Sequence, residues 1–385
     1  MSVNVLRVPP TICFGEEAAR RTGAEARRFG ARKVLIITDA FLVSSGTIDV
    51  VTKSLSDEGL DYAIYSGVNQ EPTLAHVDEC LALLKDSGGE VLVACGGGSP
   101  IDVAKAVSAM AVNPGRIQDY MGADKFSLEG LPVIAIPTTA GTGSEATAVT
   151  IITDTRRDIK MLISSPRVMP KTALVDPLLT LKMPKGLTAA TGLDALTHAI
   201  EAYVSRKAQP MTDLLALSAV GLISQNLPLA WAEPGNIEAR RQTMLGSLQA
   251  GMAFSNASVA LVHGMSRPVG ALFHVPHGVS NACLLGVVMD FSLPGDYQRY
   301  AGVARAMGLP DLGDEVKTAE SGAAAVKAII KQLQVPTLTE LGVSKEKLDP
   351  VVGKMAEDAI ASGSPGNNPR PATKEEIIQL YYAAL

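Results

Sequence analysis

The stretch Val91–Val112, VLVACGGGSPIDVAKAVSAMAV, joins an apolar run, three consecutive glycines and a helical pattern. The run before Gly96 has the apolar character of a strand that is buried on both faces. After the glycines, Ser99 at the N-cap, Pro100 at the first helical position and Asp102 in an S-x-x-D capping box predict the start of a helix. This order of strand, turn and helix is typical of α/β folds.

The glycine turn is also the first candidate binding site. Gly96, Gly97 and Gly98 have no Cβ to hold a ligand away from the backbone, and a helix N-terminus offers free N–H groups and the positive end of its dipole. These features predict that a dinucleotide pyrophosphate binds here. A plain Gly-rich turn is the alternative, because the spacing matches neither G-x-G-x-x-G nor a Walker A motif.

Similar apolar runs surround this unit in the first half of the chain. They are KVLIITD ending at Asp39, DYAIYSGV from Asp61 and PVIAIPTT ending at Thr139. Consecutive apolar positions predict a parallel sheet that helices cover on both faces. In the second half these runs stop, and apolar residues recur with helical spacing. We therefore predict an α/β dinucleotide-binding domain with a parallel sheet at 1–185 and an all-helical domain at 186–385.

Composition narrows the classes of function. The 385-residue chain has a formal net charge of −5, with 47% hydrophobic and 19% charged residues, which argues against disorder and against a basic nucleic-acid surface. The four cysteines form no C-x-x-C pair, the N-terminus lacks a signal-peptide pattern, and the apolar runs are interrupted before the roughly 20 residues that span a bilayer. We expect a cytoplasmic protein that binds small molecules, and neither nucleic acid nor a membrane.

Three further segments could contribute to a nucleotide site. PTTAGTGSEAT, Pro137–Thr147, could form a second backbone wall or a surface turn. Asp39 could hydrogen-bond a ribose and favour NAD over NADP, or it could cap the next helix. Lys160, in a predicted hairpin at Val149–Ser164, could reach a phosphate or ribose, or be an exposed strand lysine. The pattern leaves each alternative open.

Histidines cluster in the second half of the chain. Asp194 and His198 stand at i and i+4 on one predicted helix face, with Glu201 three residues further on, so that a carboxylate and an imidazole can point at one ion. His263 ends a predicted long helix, and glycines and prolines before His277 could turn the chain and bring the two imidazoles together. Three imidazoles and a carboxylate suit Fe(II), Zn(II) or Co(II). The pattern predicts a metal site, with an ordinary surface Asp–His pair as the alternative.

Several motifs, in this order, resemble those of the iron-containing, group III alcohol dehydrogenases, whose fold is similar to that of dehydroquinate synthase. They are GGGSPID, PTTAGTGSE, ATGLDALTHAIEAY, GMAFSNASVALVHGMSRPVGA and VPHGVSNA, followed by NPRPATKEEIIQLYYAA at the C-terminal end. The resemblance implies a dinucleotide-binding α/β domain followed by an all-helical domain. It implies reversible hydride transfer between a primary alcohol or an aldehyde and NAD(H), with Fe(II), Zn(II) or another divalent ion polarising the substrate oxygen. It also implies a homo-oligomer, a dimer or larger.

The resemblance extends to individual residues. The family's metal ligands correspond to Asp194, His198, His263 and His277. Its cofactor contacts correspond to Asp39, Gly96, Gly97, Gly98, Ser99, Asp102, Thr138, Thr139 and Lys160. The family's metal-ligand set is thus present in full.

Two positions depart from the family pattern. Arg267 stands where many members have a histidine, and Phe273 and His274 stand where a tyrosine and an acid or asparagine are common. Arginine stays protonated, so we expect His274 or a water molecule to relay the proton. Arg267 could bind a substrate carboxylate and favour hydroxy acids or their semialdehydes, or it could form a structural ion pair beside the metal. We favour the ion pair, because protein carboxylates usually neutralise buried arginines.

Three rival functions are weighed against the dehydrogenase. A dehydroquinate synthase-type lyase uses NAD without net turnover, but it is expected to carry several Lys and Arg for a phosphorylated substrate, and residues 187–290 contain few. A transhydrogenase would keep its NADH bound. A nucleotide-binding scaffold without catalysis would not require four intact metal ligands.

Overall fold

The computed structural model describes residues 3–69, 71–157 and 159–385 of the chain. The chain divides into two compact units. The first is Arg7–Thr180, and the second is Leu181–Leu385 with the described residues of Met1–Leu6. The division falls shortly before the boundary expected at residue 185. The division into domains at 1–185 and 186–385 stays a prediction.

The first unit contains two sheets. Its strands are β1 (Thr11–Phe14), β2 (Lys33–Ile37), β3 (Asp61–Tyr65), β4 (Val91–Gly96), β5 (Gly122–Ala123), β6 (Val133–Pro137), β7 (Val149–Asp154), β8 (Ile159–Ser164) and β9 (Thr172–Val175). Within the described residues, six strands form a parallel sheet in the order β1-β9-β6-β4-β2-β3, which confirms the predicted parallel sheet. The predicted hairpin is the antiparallel pair β7–β8, with β5 parallel to β8.

Both faces of the parallel sheet are covered. Leu35 and Ile37 of β2 belong to one apolar core, whereas Val34 and Ile36 belong to another. Because strand side chains alternate between faces, a strand covered on both sides is apolar at every position. β3 differs from this expectation: it is the edge strand, and its side chains are half-buried or exposed.

The helices of the first unit pack on these sheets. They are α1 (Thr22–Arg28), α2 (Ala40–Ser44), α3 (Asp49–Asp57), α4 (Leu74–Ser87) and α5 (Gly98–Met110). α5 follows β4 directly and packs on β4, β6 and β7. The turn between β4 and α5 therefore lies beyond the carboxyl end of a parallel strand, where open α/β sheets bind ligands.

Helices are the only regular secondary structure among the described residues of the second unit, which confirms the predicted all-helical region. Its helices are α6 (Lys185–Val204), α7 (Pro210–Ala232), α8 (Ile237–Ala257), α9 (Leu261–Phe273), α10 (His277–Ser292), α11 (Tyr297–Ala306), α12 (Glu315–Gln332), α13 (Lys345–Leu348), α14 (Val352–Ala361) and α15 (Lys374–Ala383). α6 packs on α7, α8 and α10, and α10 also packs on α9. These helices share one large apolar core.

The helix expected to run unbroken to His263 is interrupted. Ser258 adopts a positive φ of 65° between α8 and α9. His263 therefore lies in the first turn of α9 and does not end a long helix. Pro268 lies inside α9, so the chain turns only between α9 and α10.

Two helical segments of the second unit are longer and more continuously apolar than predicted from the sequence. α7 and the segment His277–Gly295 are long and apolar enough to cross a membrane by length and composition, with mean hydropathies of 1.4 and 1.2. Core helices of a globular unit pass the same test. Residues from both helices belong to the apolar core of this unit. Length and composition therefore do not distinguish a membrane-spanning helix from a core helix here.

Candidate functional site

Three of the four predicted metal ligands converge in the second unit. They are Asp194 on α6, His263 on α9 and His277 at the start of α10, and their donor atoms all lie within 4.8 Å of one another. Oδ1 of Asp194 is 3.6 Å from Nε2 of His263 and 3.8 Å from Nε2 of His277. Metal–ligand bonds of about 2.1 Å place tetrahedral donors about 3.4 Å apart. The donor set therefore fits a divalent metal ion.

The fourth predicted ligand lies at the edge of this cluster. Nδ1 of His198 is 3.9 Å from Oδ1 of Asp194, as the i, i+4 spacing on α6 predicts. The His198 ring stacks between Phe254 and His263, with centroid separations of 4.1 and 4.4 Å. It is not part of the group of three whose donors lie mutually within 4.8 Å. Its role as a metal ligand stays a prediction.

The cluster combines buried charges of both signs. Burial raises the pKa of Asp194, but His198, His263 and His277 together lower it well below its usual range, so the carboxylate is ionised. Burial lowers the pKa of His263, but the Glu201 and Asp194 carboxylates raise it to about 9. A divalent ion therefore competes with a proton for the His263 imidazole.

Glu201 contacts the donor cluster through Nδ1 of His263. The sequence pattern placed it on the face of Asp194 and His198, yet the structure gives it other partners. Its Oε2 lies 2.5 Å from Nδ1 of His263, and its Oε1 accepts the backbone N–H of Val262 at 2.6 Å. A carboxylate at Nδ1 fixes the orientation of the ring, and once Nε2 is deprotonated its lone pair faces the other donors.

Asn281 is a site residue that the sequence analysis missed. Its Nδ2 donates to Oδ1 of Asp194 at 2.7 Å and lies 3.2 Å from Nε2 of both His263 and His277. One carboxylate oxygen and two ring nitrogens, all possible metal ligands, thus surround the amide nitrogen of Asn281. Oδ1 of Asn281 is buried and has no hydrogen-bond partner among the described residues. Its position four residues after His277 on α10 is the signal that could have found it.

Arg267 lies one turn after His263 on α9. The side chain is half-buried, and Nη1 donates to Oγ of Ser364 at 3.2 Å. No described carboxylate lies within 4.0 Å of the guanidinium, and the favoured structural ion pair stays a prediction. Burial lowers the pKa of Arg267 and Glu201 opposes that shift, but a guanidinium stays protonated.

His274 stands apart from the donor cluster. It is exposed and forms the C-cap of α9 in the left-handed conformation, with a φ of 54°. Its ring makes no hydrogen bond, ion pair or ring contact with the described part of the chain. Its predicted role in proton transfer stays a prediction.

In the first unit, α5 begins two residues earlier than predicted. Gly97 is the N-cap, no side chain caps the helix, and α5 starts at Gly98. The predicted N-cap at Ser99 is wrong, because the extended conformation of Gly97 already starts the helix and places Ser99 and Pro100 inside it. The first-turn N–H groups of such a helix suit an anion.

Gly97 itself points to a ligand. Its φ of −71° suits any residue, and a Cβ built there would lie 3.6 Å from the Thr139 side chain, an ordinary contact. Neither the backbone nor the packing of the described residues requires glycine at this position. A ligand that approaches the backbone closely would require it.

The loop that follows β6, predicted as a second part of the nucleotide site, lies beside the glycine turn. The backbone N–H of Thr138 donates to the carbonyl oxygen of Gly96 at 2.9 Å. Thr139 is half-buried and faces Gly97. The structure therefore brings the PTTAGTGSE loop and the glycine turn together in the first unit.

A buried polar network ties this loop to α5. Oδ1 of Asp102 accepts from Oγ of Ser144 at 2.6 Å, and Oδ2 accepts from the backbone N–H of Ile151 at 2.9 Å, so Asp102 closes no capping box. The fully buried Nζ of Lys105 donates at 2.8 Å to three oxygens of residues 144–149. Lys105 was not among the predicted site residues, although a lysine within the apolar run 103–107 could have indicated it.

Two predicted cofactor contacts have protein partners. Oδ1 of Asp39 accepts the backbone N–H of Leu42 at 2.9 Å and caps α2. No described residue donates to its other oxygen. Nζ of Lys160 lies 2.5 Å from Oε1 of Glu71. Asp39 therefore caps a helix and Lys160 is a strand lysine, as the alternatives to cofactor binding predicted for these two residues.

Sequence comparison identifies related proteins over the whole chain. Residues 9–177 match the sequence profile of the iron-containing alcohol dehydrogenases, and residues 188–385 match that of the C-terminal part of the Fe-containing alcohol dehydrogenase family. The NAD-dependent methanol dehydrogenase of Bacillus methanolicus is 39% identical over 98% of this chain and 99% of its own length. The lactaldehyde reductase of Escherichia coli (strain K12) is 40% identical over 97% of each chain.

Solved structures give the same result. A 1,3-propanediol oxidoreductase superposes over 100% of both chains with a TM-score of 0.97 and 36% identity. The alcohol dehydrogenase from Oenococcus oeni also covers 100% of both chains, with a TM-score of 0.96 and 34% identity. These similarities extend through both units.

Proposed function

The chain belongs to the iron-containing alcohol dehydrogenase family, and we propose how its own residues support the reaction. It is a metal-dependent oxidoreductase that transfers a hydride reversibly between a primary alcohol or an aldehyde and NAD(H). The observation that supports this most strongly is the convergence of Asp194, His263 and His277 in a chain that matches the family in both halves.

Each residue near the donor cluster has a distinct task. A bound Fe(II), or Zn(II) in its place, supplies a Lewis acid that lowers the pKa of the alcohol and polarises the aldehyde carbonyl. The ionised Asp194 supplies negative charge, and Glu201 holds the His263 ring with Nε2 toward the other donors. We propose His198 as the fourth ligand, since its ring borders the cluster. We propose that His274 or a water molecule exchanges the proton of the substrate hydroxyl.

The first unit supplies the proposed cofactor site. NAD accepts the hydride on its nicotinamide ring. We propose that its pyrophosphate lies at the N-terminus of α5, against Gly96, Gly97, Gly98 and Ser99, with Thr138 and Thr139 as the second wall. We propose that the second oxygen of Asp39 accepts from a ribose hydroxyl and repels a 2′-phosphate. Contacts from Asp102 and Lys160 are proposed as well, and they have to coexist with the present partners of those residues.

Anaerobic purification followed by elemental analysis and turnover assays tests this function. We expect one divalent ion per chain, alcohol-dependent formation of free NADH, and a preference for NAD over NADP. His277→Ala should lower both the metal content and the turnover. Full turnover in the metal-free protein would contradict the proposal. Hydride exchange without release of NADH would indicate a transhydrogenase, and a lyase reaction would form no NADH.

We propose further that the protein is a cytoplasmic homo-oligomer that needs neither a membrane nor nucleic acid. The net charge of −5 offers no basic excess for nucleic acid. The homo-oligomer is what the resemblance to the iron-containing alcohol dehydrogenases implies. Light scattering after size exclusion, together with cell fractionation, tests these proposals. A monomer or a membrane-bound fraction would contradict them.

A further inference from the structure

A guanidinium without a carboxylate partner lies near the candidate metal centre. Arg267 follows His263 by four residues on α9, a rise of about 6 Å along one helix face. Its Nη1 donates to the neutral hydroxyl of Ser364 at 3.2 Å. Among the described residues, no carboxylate oxygen lies within 4.0 Å of the guanidinium. Its charge is therefore not neutralised at contact distance by this part of the chain.

The remaining N–H groups of Arg267 reach accessible space. Arginine carries five such donors. The side-chain nitrogens that are fully enclosed and lack a partner in the described residues include none from Arg267. Arg240 provides a contrast, because its side chain turns into the protein and donates to Oγ1 of Thr188 and the carbonyl of Pro234. Arg267 thus retains donors for a group from outside the described chain.

Glu201, the carboxylate beside His263, is not available to pair with Arg267. Both oxygens of Glu201 accept hydrogen bonds, from Val262 and from His263. Turning Glu201 toward Arg267 would release the His263 ring. The half-buried guanidinium therefore needs an anion that the described residues do not supply, since leaving an arginine partly desolvated without a counter-charge is costly.

We propose, building on the dehydrogenase function above, that Arg267 binds a terminal carboxylate of the substrate. The preferred substrates are then short-chain hydroxy acids and the matching semialdehydes rather than unsubstituted alcohols. The substrate hydroxyl or carbonyl oxygen lies at the donor cluster, and the carboxylate lies about one helical turn away along α9. A guanidinium fork can donate two parallel hydrogen bonds to a carboxylate, and such charged bonds are stronger where water is partly excluded.

The test compares two substrates that differ in charge at nearly the same size. The metal-loaded enzyme is assayed with NAD and either γ-hydroxybutyrate or its neutral primary amide. We expect kcat/KM to favour the carboxylate by about tenfold to a hundredfold, the range for hydrogen bonds to charged groups. Arg267→Met should remove this preference by lowering kcat/KM for the carboxylate at least about tenfold more than kcat/KM for the amide, because only the carboxylate pairs with the charge. Arg267→Lys should retain part of the preference.

A matched control and a binding measurement complete the experiment. Arg305→Met removes an arginine that pairs with Asp311 and Glu315 on the surface, and it should leave the preference unchanged. Calorimetry without NAD measures binding of γ-hydroxybutyrate to metal-loaded wild type and to Arg267→Met, with metal content and Tm confirming that the variant is folded. Loss of binding in Arg267→Met supports the proposal.

Two outcomes would overturn the assignment of Arg267. One is an equal loss of kcat/KM on both substrates in Arg267→Met, and the other is a wild-type enzyme that prefers the amide. A different outcome concerns the proposed function itself. If no primary alcohol is turned over with NAD, but the carboxylate binds to wild type and not to Arg267→Met, the dehydrogenase function fails while the carboxylate site stands.

Discussion

Oε2 of Glu201 lies 2.5 Å from Nδ1 of His263, while the other oxygen of the same carboxylate accepts the N–H of Val262. The carboxylate is thus held at both oxygens by neighbouring residues of α9. His263 in turn faces Asp194 through Nε2, at 3.6 Å. A carboxylate at the other ring nitrogen of a metal-ligating imidazole orients the ring and raises its basicity.

Replacing this carboxylate should weaken metal binding. Glu201→Gln keeps the size of the side chain but removes its charge, so the His263 ring loses its charged acceptor. We expect a loss of about 10-fold to 100-fold in metal affinity. Competition with a chromogenic chelator measures it, and Glu320→Gln on the exposed side of α12 is the control. An unchanged metal affinity in Glu201→Gln would show that Glu201 only packs.

The Asn281 side chain should stabilise the metal-free protein more than the metal-loaded protein. Asn281→Ala removes the amide that donates to Asp194, so the metal-free form should lose about 1–3 kcal/mol of unfolding free energy. A bound ion would interact with the same acceptors, so the metal-loaded form should lose less. The increase in Tm on adding Zn(II) should therefore be larger in the variant than in wild type.

The control for Asn281 is another asparagine of the same unit. Asn226→Ala removes a side chain that donates to a carbonyl within α7, and the metal-induced increase in Tm should stay at the wild-type value. A smaller increase in Asn281→Ala would contradict the prediction. It would indicate instead that the Asn281 oxygen contributes to metal binding.

Neighbouring glycines should respond differently to alanine. At Gly97 a Cβ has room, so Gly97→Ala should leave the unfolding free energy unchanged but weaken NAD binding by at least about tenfold, or 1.4 kcal/mol. At Gly98 a Cβ would lie 2.9 Å from Cγ2 of Thr142, so Gly98→Ala should destabilise the protein by about 1–3 kcal/mol. Denaturant unfolding and calorimetric titration with NAD separate the two effects. Undiminished NAD binding in Gly97→Ala would remove the turn from the cofactor site.

Lys105 should give stability a recognisable pH dependence. Burial lowers the pKa of Lys105 to about 8, against the opposing pull of Asp102 and Glu145. Between pH 8 and the ordinary lysine value of 10.5 the unfolded chain binds more protons than the native one, so this residue makes the unfolding free energy rise with pH. Its share of the slope is at most about 1.4 kcal/mol per pH unit.

Lys105→Met tests that assignment. Its unfolding free energy should rise less steeply with pH than that of wild type between pH 8 and 10.5, and it should be lower overall because three hydrogen bonds are lost. The exposed Lys53, paired with Asp57, supplies the control Lys53→Met, which should keep the wild-type slope. Parallel curves for wild type and Lys105→Met would show that Lys105 titrates normally.

The amino-acid sequence by itself determined the local features of this protein. Unbroken apolar runs such as that of β2 predicted strands covered on both faces, and the i, i+4 spacing of Asp194 and His198 predicted their shared helix face. These follow from the backbone, because side chains alternate along a strand and repeat every 3.6 residues along a helix. The family motifs then indicated the ligand set.

Tertiary structure alone decided which groups meet. Glu201 stands 62 residues before His263, and Asp194 stands 87 before Asn281, so no local period connects them. The break at Ser258, the exposed edge position of β3 and the missing carboxylate beside Arg267 likewise depend on what packs nearby. Periodicity orients a side chain within its own helix or strand. The partner of that side chain is set by the packing of elements that are distant in sequence. This packing brings the candidate residues together in one site.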